Sequence, residues 1–141
     1  MAKTLVVGVD GSEQAARAAD YAVELASRLG AGVLLVHIVP SVAVPAGAIG
    51  FGEEWLQAHR VRGEALLDVL MNRLERPGVP LSKRLVDAGS PAEVLSDIAG
   101  ELSAEMVVVG STGLNTVTRL LLGSVADRLV HLSPVPVLVV R

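Results

Sequence analysis

The sequence predicts a single α/β domain with a five-stranded parallel sheet and helices on both of its faces. Short apolar runs typical of strands alternate along the chain with longer segments in which apolar residues recur every three or four positions. The length of 141 residues suits one domain, 1–141, with one core. Apolar residues make up 51% of the chain and aromatic residues 2%, which favours an aliphatic sheet under Ala-rich helices.

The first strand and helix are indicated by a β-branched apolar run followed by a helical repeat. Lys3 to Val9 is typical of a buried strand. Ser12 then opens a helix whose apolar positions are mostly Ala, and Gly30 ends this helix as a left-handed cap. Val33 to Val39 is the second predicted strand.

The middle of the chain predicts a loop, a long helix and a third strand. Residues 40–52 carry no charge and contain two Pro and three Gly, which indicates a loop. Helical spacing returns from Glu53 to Arg76, and a strand from Leu81 to Val86 has polar residues that indicate either one solvated face or a sheet edge. Ser90 to Glu93 is interpreted as a capping box, with Pro at the first position of the third helix.

The last part of the chain predicts two strands with a short helix between them. Met106 to Val109 is the fourth strand, and Ser124 to Leu132 is a helix opened by Ser with an acid three residues later. The last strand is Val135 to Val140, where Pro136 indicates an edge. Right-handed crossovers between such strands give a parallel sheet with helices on both faces.

Charge and cysteine content narrow the classes of function. A net charge of −3 argues against nucleic acid as the main partner, because phosphate backbones require an excess of Lys and Arg. The absence of Cys excludes disulfide frameworks, thiolate metal sites and Cys nucleophiles. The run without Asp, Glu, Lys or Arg at 29–52 is broken by Pro40 and Pro45, so no segment is typical of a spanning helix of roughly 18–20 apolar residues, and Asp10 interrupts the first apolar stretch. We therefore expect a cytoplasmic protein without a membrane partner.

Parallel strands end at one edge of their sheet, and this edge is where we expect a ligand. The stretch after the fourth strand is unusual, because nine residues separate Gly110 and Gly113 from Gly123 and Ser124. Glycine lets a backbone approach an anion closely, and N–H groups at a helix start can hold phosphate oxygens. Two such turns could bracket a polyphosphate. The alternative is that Gly110 and Gly123 only turn the chain and cap a helix.

Other phosphate-binding patterns do not fit the sequence. The chain contains no G-x-x-x-x-G-K-[ST], and its lysines, Lys3 and Lys83, leave no loop lysine available. The first turn, 8–12, lacks G-x-G-x-x-G, which argues against a dinucleotide site. A phosphoacceptor receiver domain needs an acid pair after the first strand, where this chain has Asp10 alone.

With these features together, the sequence resembles the universal stress protein family, in its ATP-binding branch. The resemblance runs the full length and is carried by residues 6–12, 36–39, 89–93, 108–113, 121–125 and 134–140. Its most specific part is the family's nucleotide signature of Gly, two residues, Gly, nine residues, Gly, then Ser or Thr. Gly110, Gly113, Gly123 and Ser124 meet this signature with the spacing intact. The resemblance implies a Rossmann-like fold of the adenine nucleotide alpha hydrolase-like type.

The resemblance also implies roles for individual residues. Asp10 and Ile38 match positions that meet the ribose and the adenine, with Gly8 and Val109 on the wall of the pocket. Two groups of residues match the phosphate-binding turns: Gly110, Thr112 and Gly113 in the first, and Gly123, Ser124 and Val125 in the second.

The chain departs from the family pattern in its basic residues. Many relatives carry Arg or His at the position of Thr112 and a basic residue just after the second Gly, where this chain has Leu114 and Asn115. Arg119 is the only cation between the two turns, and both a phosphate contact and a surface charge remain open for it. Phosphate binding is therefore expected to lean on a divalent ion, as the family's Mg²⁺ suggests.

For function, the resemblance implies an ATP-binding regulatory protein of the stress response, with ATP and Mg²⁺ as its ligands. It also implies a homodimer through the strand Val135 to Val140, which relatives pair antiparallel across a two-fold axis. The alternatives are a slow ATP hydrolase and an interaction module that binds no nucleotide. Hydrolysis needs a group that orients water and cations that stabilise the transferring phosphoryl group. Neither is evident beside Arg119, so turnover would be slow.

Single residues keep alternative interpretations. Asp10 is also suited to capping the helix that follows it. His37 is predicted to be a hydrogen-bonded core residue rather than a catalyst. Trp55 is expected to pack in the core rather than cover the pocket, and Asp87 to be an acid of a loop turn rather than a metal or ribose ligand.

Overall fold

The computed structural model describes residues 3–39, 51–87, 89–112 and 121–141, and it confirms the predicted α/β fold. The strands are β1 (Thr4–Gly8), β2 (Gly32–Ile38), β3 (Leu81–Val86), β4 (Met106–Gly110) and β5 (Val137–Val140). The helices are α1 (Glu13–Leu29), α2 (Phe51–Leu74), α3 (Pro91–Leu102) and α4 (Ser124–Leu132).

The five strands form one parallel sheet in the order β3-β2-β1-β4-β5. The first strand lies in the middle, with Val6 opposite Leu34 of β2 on one side and Val107 of β4 on the other. Because the chain moves outward from β1 to β3 and then returns to β4, the strand order reverses between β1 and β4.

The core consists of two apolar layers, one on each face of the sheet. Leu5 and Val7 pack with residues of α1 and α2, whereas Val6 between them packs with residues of α3 and α4. Successive side chains of a strand point to opposite faces, so a strand covered on both sides must be apolar at every position. This requirement explains the continuous Val and Leu runs from which the strands were predicted.

The start of α2 is the largest difference near the predicted loop. Helix α2 begins at Phe51, two residues earlier than expected, and Glu53 and Glu54 lie in its first turn. Acidic residues at this position are stabilised by the positive end of the helix dipole, which favours the earlier start. Residues 40–50 of the predicted loop lie outside the described residues.

The last strand is shorter than predicted because of a proline and a serine. Pro136 has no N–H, so only its carbonyl takes part in the ladder, accepting from the N–H of Val107 at 2.9 Å. The residue before it, Val135, donates its N–H to Ser133 Oγ at 3.2 Å and accepts from the same hydroxyl at 2.7 Å. These contacts form a local turn, and the strand starts at Val137.

Two of the predicted helix N-caps need correction. Ser12 caps α1 as expected, with its Oγ accepting from the N–H of Ala15 at 3.1 Å. Ser90 makes no such side-chain bond at α3, and Glu93 reaches across to Arg128 on α4 at 2.8 Å instead of back to Ser90. The predicted capping box is therefore wrong, although Pro91 does occupy the first turn. Helix α4 spans Ser124–Leu132 as predicted, but its N-cap is Gly123 and not Ser124.

The other edge of the sheet carries charge, as predicted. In β3, which has only β2 beside it in the sheet, Lys83 forms ion pairs with Asp68 and Glu64 of α2. The hydrogen bond to Asp68, and to a smaller extent the one to Glu64, raises the pKa of Lys83. A charged side chain on an edge strand discourages pairing with a further strand.

Helix α2 meets the end of β2 at a point where only glycine fits. A Cβ added to Gly63 would lie 2.6 Å from His37 Cδ2 and 2.7 Å from Leu85 Cδ1. The imidazole cannot simply turn away, because its Nδ1 lies 2.9 Å from the carbonyl oxygen of Val9. This glycine therefore sets the distance between α2 and the sheet.

The cap of α1 gives a stability prediction. Removing the hydroxyl by Ser12→Ala should lower the free energy of unfolding by about 1 kcal/mol, because the N–H of Ala15 loses its acceptor. The matched control is Ser90→Ala, which removes no capping bond and should cost less than about 0.5 kcal/mol. Urea denaturation measures both variants, and equal losses would contradict the assignment of the two caps.

The contact at Gly63 gives a second prediction. Gly63→Ala should destabilise the protein by about 1–3 kcal/mol, because the added methyl group overlaps a hydrogen-bonded ring. In contrast, a Cβ at Gly100 on α3 would meet nothing closer than Pro134 Cγ at 3.5 Å. Gly100→Ala should therefore be neutral or stabilising by up to about 1 kcal/mol. Thermal melting distinguishes the two, and a tolerated Gly63→Ala would show that α2 is not held at this distance.

Candidate functional site

A cavity of about 300 Å³ opens at the carboxyl ends of β1 and β4, where the strand order reverses. Crevices at such points are the usual ligand sites of open parallel sheets. The lining comes from the ends of β1, β2 and β4 and from the starts of α1, α3 and α4. The lining residues are Gly8, Val9, Asp10, Ala15, His37, Ile38, Pro91, Leu95, Val109, Gly110, Ser111, Thr112, Gly123, Ser124, Val125 and Ala126.

The cavity brings together nearly all the residues that the sequence singled out. Those that line it are Gly8, Asp10, Ile38, Val109, Gly110, Thr112, Gly123, Ser124 and Val125. Gly113, Leu114, Asn115 and Arg119 lie outside the described residues. Contacts between these residues and a ligand remain a prediction.

The two glycine turns are held together by backbone hydrogen bonds. The N–H of Gly123 donates to the carbonyl of Ser111 at 2.6 Å, and the N–H of Ser111 donates to the carbonyl of Val140 in β5 at 2.8 Å. The start of α4 is therefore fixed against the end of β4, although many residues separate the turns in the sequence.

Gly110 also has a packing role of its own. An added Cβ would lie 2.8 Å from the backbone carbon of Gln14 and 3.0 Å from the backbone nitrogen of Ala15. Glycine is therefore required there to let β4 end against the start of α1. Together with Gly123 as the N-cap of α4, this bears out the structural interpretation of these glycines, which is compatible with a ligand beside them.

The start of α4 presents backbone donors to the cavity. Ser124 is exposed, Val125 is half-buried, and both line the cavity together with the buried Ala126. The first N–H groups of a helix have no partner within the helix, and the helix dipole places partial positive charge at this end. An anion in the cavity would be stabilised at this position.

Asp10 lies at the mouth of the cavity and braces the turn after β1. Its Oδ1 accepts from the N–H of Ser12 at 2.9 Å, and Ser12 rather than Asp10 caps α1. The capping interpretation of Asp10 is therefore wrong. A carboxylate that accepts one bond has acceptor capacity left for hydroxyl groups of a ligand.

Ile38 directs its backbone polar groups towards the cavity. In β2, Gly32 and Val36 bond to the β1 side, whereas Val33 and Val39 bond to the β3 side, through Pro80 and Val86. By this alternation Ile38 faces β1, but β1 ends at Gly8. The backbone N–H and C=O of Ile38 therefore point past the end of β1 into the cavity.

Several lining residues were not predicted as site residues. Pro91 and Leu95 come from α3, and Ala15 from α1. Their positions depend on how the helices dock on the sheet, for which a local sequence pattern gives no signal. His37 forms a hydrogen bond to the carbonyl of Val9, as predicted, but it is half-buried and also lines the cavity.

Two other residues considered from the sequence are occupied elsewhere. Asp87 forms two hydrogen bonds with Arg60 of α2, at 2.8 and 2.7 Å, which raise the pKa of Arg60. Trp55 is half-buried and stacks on His59 with 3.8 Å between ring centroids. Neither Asp87 nor Trp55 is among the described residues that line the cavity.

The described ranges contain no group of three or more His, Asp or Glu side chains that could hold a metal ion. In the same ranges, none of the helices combines the length and the apolar character that crossing a bilayer requires.

Comparisons with known proteins agree with this architecture. A universal stress protein of Thermus aquaticus is 37% identical over 141 residues, with 100% of both chains covered. The universal stress protein UspA from Lactobacillus plantarum shares the fold, with a TM-score of 0.89 at 24% identity over 99% of this chain and 97% of its own. A universal stress protein solved in complex with cAMP is 28% identical, with a TM-score of 0.70 and coverage of 99% and 97%.

A family model described as Universal stress protein family matches residues 1–141, the whole of the sequence. With the relatives above and the parallel sheet that carries the cavity, this match leads to one conclusion: the chain belongs to the universal stress protein family.

Proposed function

We propose that this protein binds an adenine nucleotide, ATP with Mg²⁺, in the cavity between β1 and β4. The observation that carries the proposal is the hydrogen bond between the two glycine turns, which fixes the start of α4 beside an apolar crevice. A donor-rich end and an apolar end within one cavity match the phosphate and base parts of a nucleotide.

The base fits the apolar part of the cavity. Val9, Ile38, Leu95 and Val109 supply aliphatic walls. The backbone N–H and C=O of Ile38 offer one donor and one acceptor, and adenine carries an acceptor and an amino donor on one edge. Pairing these groups would extend the ladder of β2 by one unit, and the carboxylate of Asp10 would accept from ribose hydroxyls.

The phosphates fit the start of α4. Ser124 adds a hydroxyl to the backbone donors there. The described lining residues include no Lys or Arg, so much of the phosphate charge would be balanced by the Mg²⁺ that accompanies ATP. The related protein solved with cAMP supports an adenine nucleotide as the class of ligand.

A regulatory role is favoured over fast hydrolysis. Asp10 and His37 are the titratable side chains among the described lining residues, and His37 is engaged with the carbonyl of Val9. Rapid phosphoryl transfer requires a positioned water and cationic stabilisation of the transition state. We therefore expect turnover well below about 1 s⁻¹, and we propose a cytoplasmic stress-response regulator whose state depends on nucleotide occupancy.

The phosphate subsite is tested by Ser124→Glu, compared with Ser124→Gln. A carboxylate at the start of α4 is compatible with the helix dipole, so the melting temperature should not fall. The same charge would repel phosphates, and the affinity for ATP should drop about tenfold or more. Ser124→Gln has nearly the same size without the charge and should lose much less. Isothermal titration calorimetry with Mg²⁺ and ATP measures all three proteins.

Two results would contradict this proposal. Absence of ATP binding by the unaltered protein, which equilibrium dialysis would also detect, would favour the interaction module of the same fold. Equal affinities of Ser124→Glu and the unaltered protein would place the phosphates elsewhere.

We also propose that the protein forms a homodimer through residues 135–140. The carbonyl of Pro136, just before β5, accepts a hydrogen bond from Val107 of β4, and the carbonyl of Val140 accepts one from Ser111, just after β4. Every second residue of a strand in a parallel ladder bonds to the same neighbour, so the N–H groups of Val137 and Val139 point away from β4. An apolar edge with outward donors suits pairing with a second copy across a two-fold axis.

The dimer is tested by Val139→Pro. This substitution removes one outward N–H. The carbonyls of Pro136 and Val140 still accept from Val107 and Ser111. We expect the unaltered protein to be a dimer at micromolar concentration and the variant to shift towards the monomer. Val139→Ala keeps the N–H and should remain dimeric. Size-exclusion chromatography with light scattering measures the masses, and a monomeric unaltered protein would overturn the proposed dimer.

A further inference from the structure

We infer that His37 is a positioning residue of the nucleotide site, which it serves by holding the carbonyl of Val9 and so fixing Asp10. The inference rests on the proposed function for the role of Asp10. It concerns a side chain that the resemblance to the family assigned to no ligand contact.

The geometry fixes the tautomer of the imidazole. His37 Nδ1 lies 2.9 Å from the carbonyl oxygen of Val9, and a carbonyl oxygen only accepts hydrogen bonds. Nδ1 therefore carries a proton and donates this bond. A Cβ at Gly63 would lie 3.1 Å from Nε2, so the opposite side of the ring is packed against α2.

Both backbone polar groups of Val9 form hydrogen bonds with residues of β2. Its N–H donates to the carbonyl of Val36 at 2.9 Å, and its carbonyl accepts from the ring of His37. In a ladder that simply continued, the N–H of Ile38 would be the donor to Val9. Here the ring of His37 takes the place of that donor to the carbonyl of Val9.

Fixing Val9 fixes the carboxylate next to it. Asp10 follows Val9 directly, and its Oδ1 accepts from the N–H of Ser12, the cap of α1. The carboxylate is thus anchored on one side to β2 through Val9 and on the other to the start of α1. Loss of the His37 bond would weaken the first anchor, which would then depend on the N–H bond of Val9 to Val36 alone, and would leave the second anchor intact.

The experiment compares two substitutions of His37 by their affinity for adenosine and for ATP. His37→Leu removes the donor, whereas His37→Asn keeps an N–H donor at about the distance of Nδ1. We expect His37→Leu to weaken adenosine binding about tenfold, and His37→Asn to stay within about threefold of the unaltered protein. Binding of inorganic tripolyphosphate should change by less than about twofold in both, because the start of α4 is not in contact with His37.

A double-mutant cycle tests whether His37 acts through Asp10. In an Asp10→Ala background, His37→Leu should change adenosine affinity by less than about twofold, because the carboxylate that it positions is gone. Additive losses, or equal losses in His37→Leu and His37→Asn, would overturn the inference. Circular dichroism confirms that each variant is folded.

A separate readout distinguishes failure of this inference from failure of the proposed function. If the unaltered protein binds neither adenosine nor ATP, the proposed function fails, and the positioning role is read by nuclear magnetic resonance. We then expect a proton on Nδ1 of His37, and amide shifts at residues 10–12 that change in His37→Leu and return in His37→Asn. Absence of a proton on Nδ1, or unchanged amide shifts, would overturn the positioning role.

Discussion

The pairing of β1 with β2 on one side and β4 on the other is the constraint on which the rest of the structure depends. All strands run in the same direction, so every helix begins at the edge where the strands end. The reversal of strand order then separates the start of α1 from the starts of α3 and α4 and leaves a crevice between them. The cavity is therefore a consequence of chain order, and its walls belong to segments that also build the core.

The fold could be predicted from the sequence because burial on both faces forces continuous apolar strands, and such runs are visible without a structure. The errors arise where tertiary contacts replace local ones. Glu93 has the position for a capping box, but Arg128 of another helix offers it an ion pair. The lining of the cavity could be predicted where it consists of glycines after strands and of helix starts. It could not be predicted where helix docking decides, as for Leu95, or where a core histidine also borders the cavity, as for His37.

The described part of the cavity would attract an anion through peptide dipoles more than through charged side chains, because its lining there includes no Lys or Arg. Partial charges at a helix start act over about one helical turn, whereas full charges act over a Debye length of about 8 Å at physiological salt. The start of α4 would therefore attract a ligand only when the phosphates of that ligand lie within about one helical turn of it. Such a site gives little long-range steering, and its selectivity depends on contact geometry, which the bond between Gly123 and Ser111 maintains.

The hydrogen bond from Ser111 to Val140 joins the first glycine turn to the edge strand. Ser111 is at the same time the acceptor for Gly123, so one residue connects β5, the end of β4 and the start of α4 through its N–H and its C=O. A displacement of any of these segments stretches a bond to the others. In thermodynamic terms, a change in free energy at β5 affects the start of α4, and a change at the start of α4 affects β5 by the same amount. The outer edge of the sheet and the floor of the cavity are therefore mechanically coupled through a single residue.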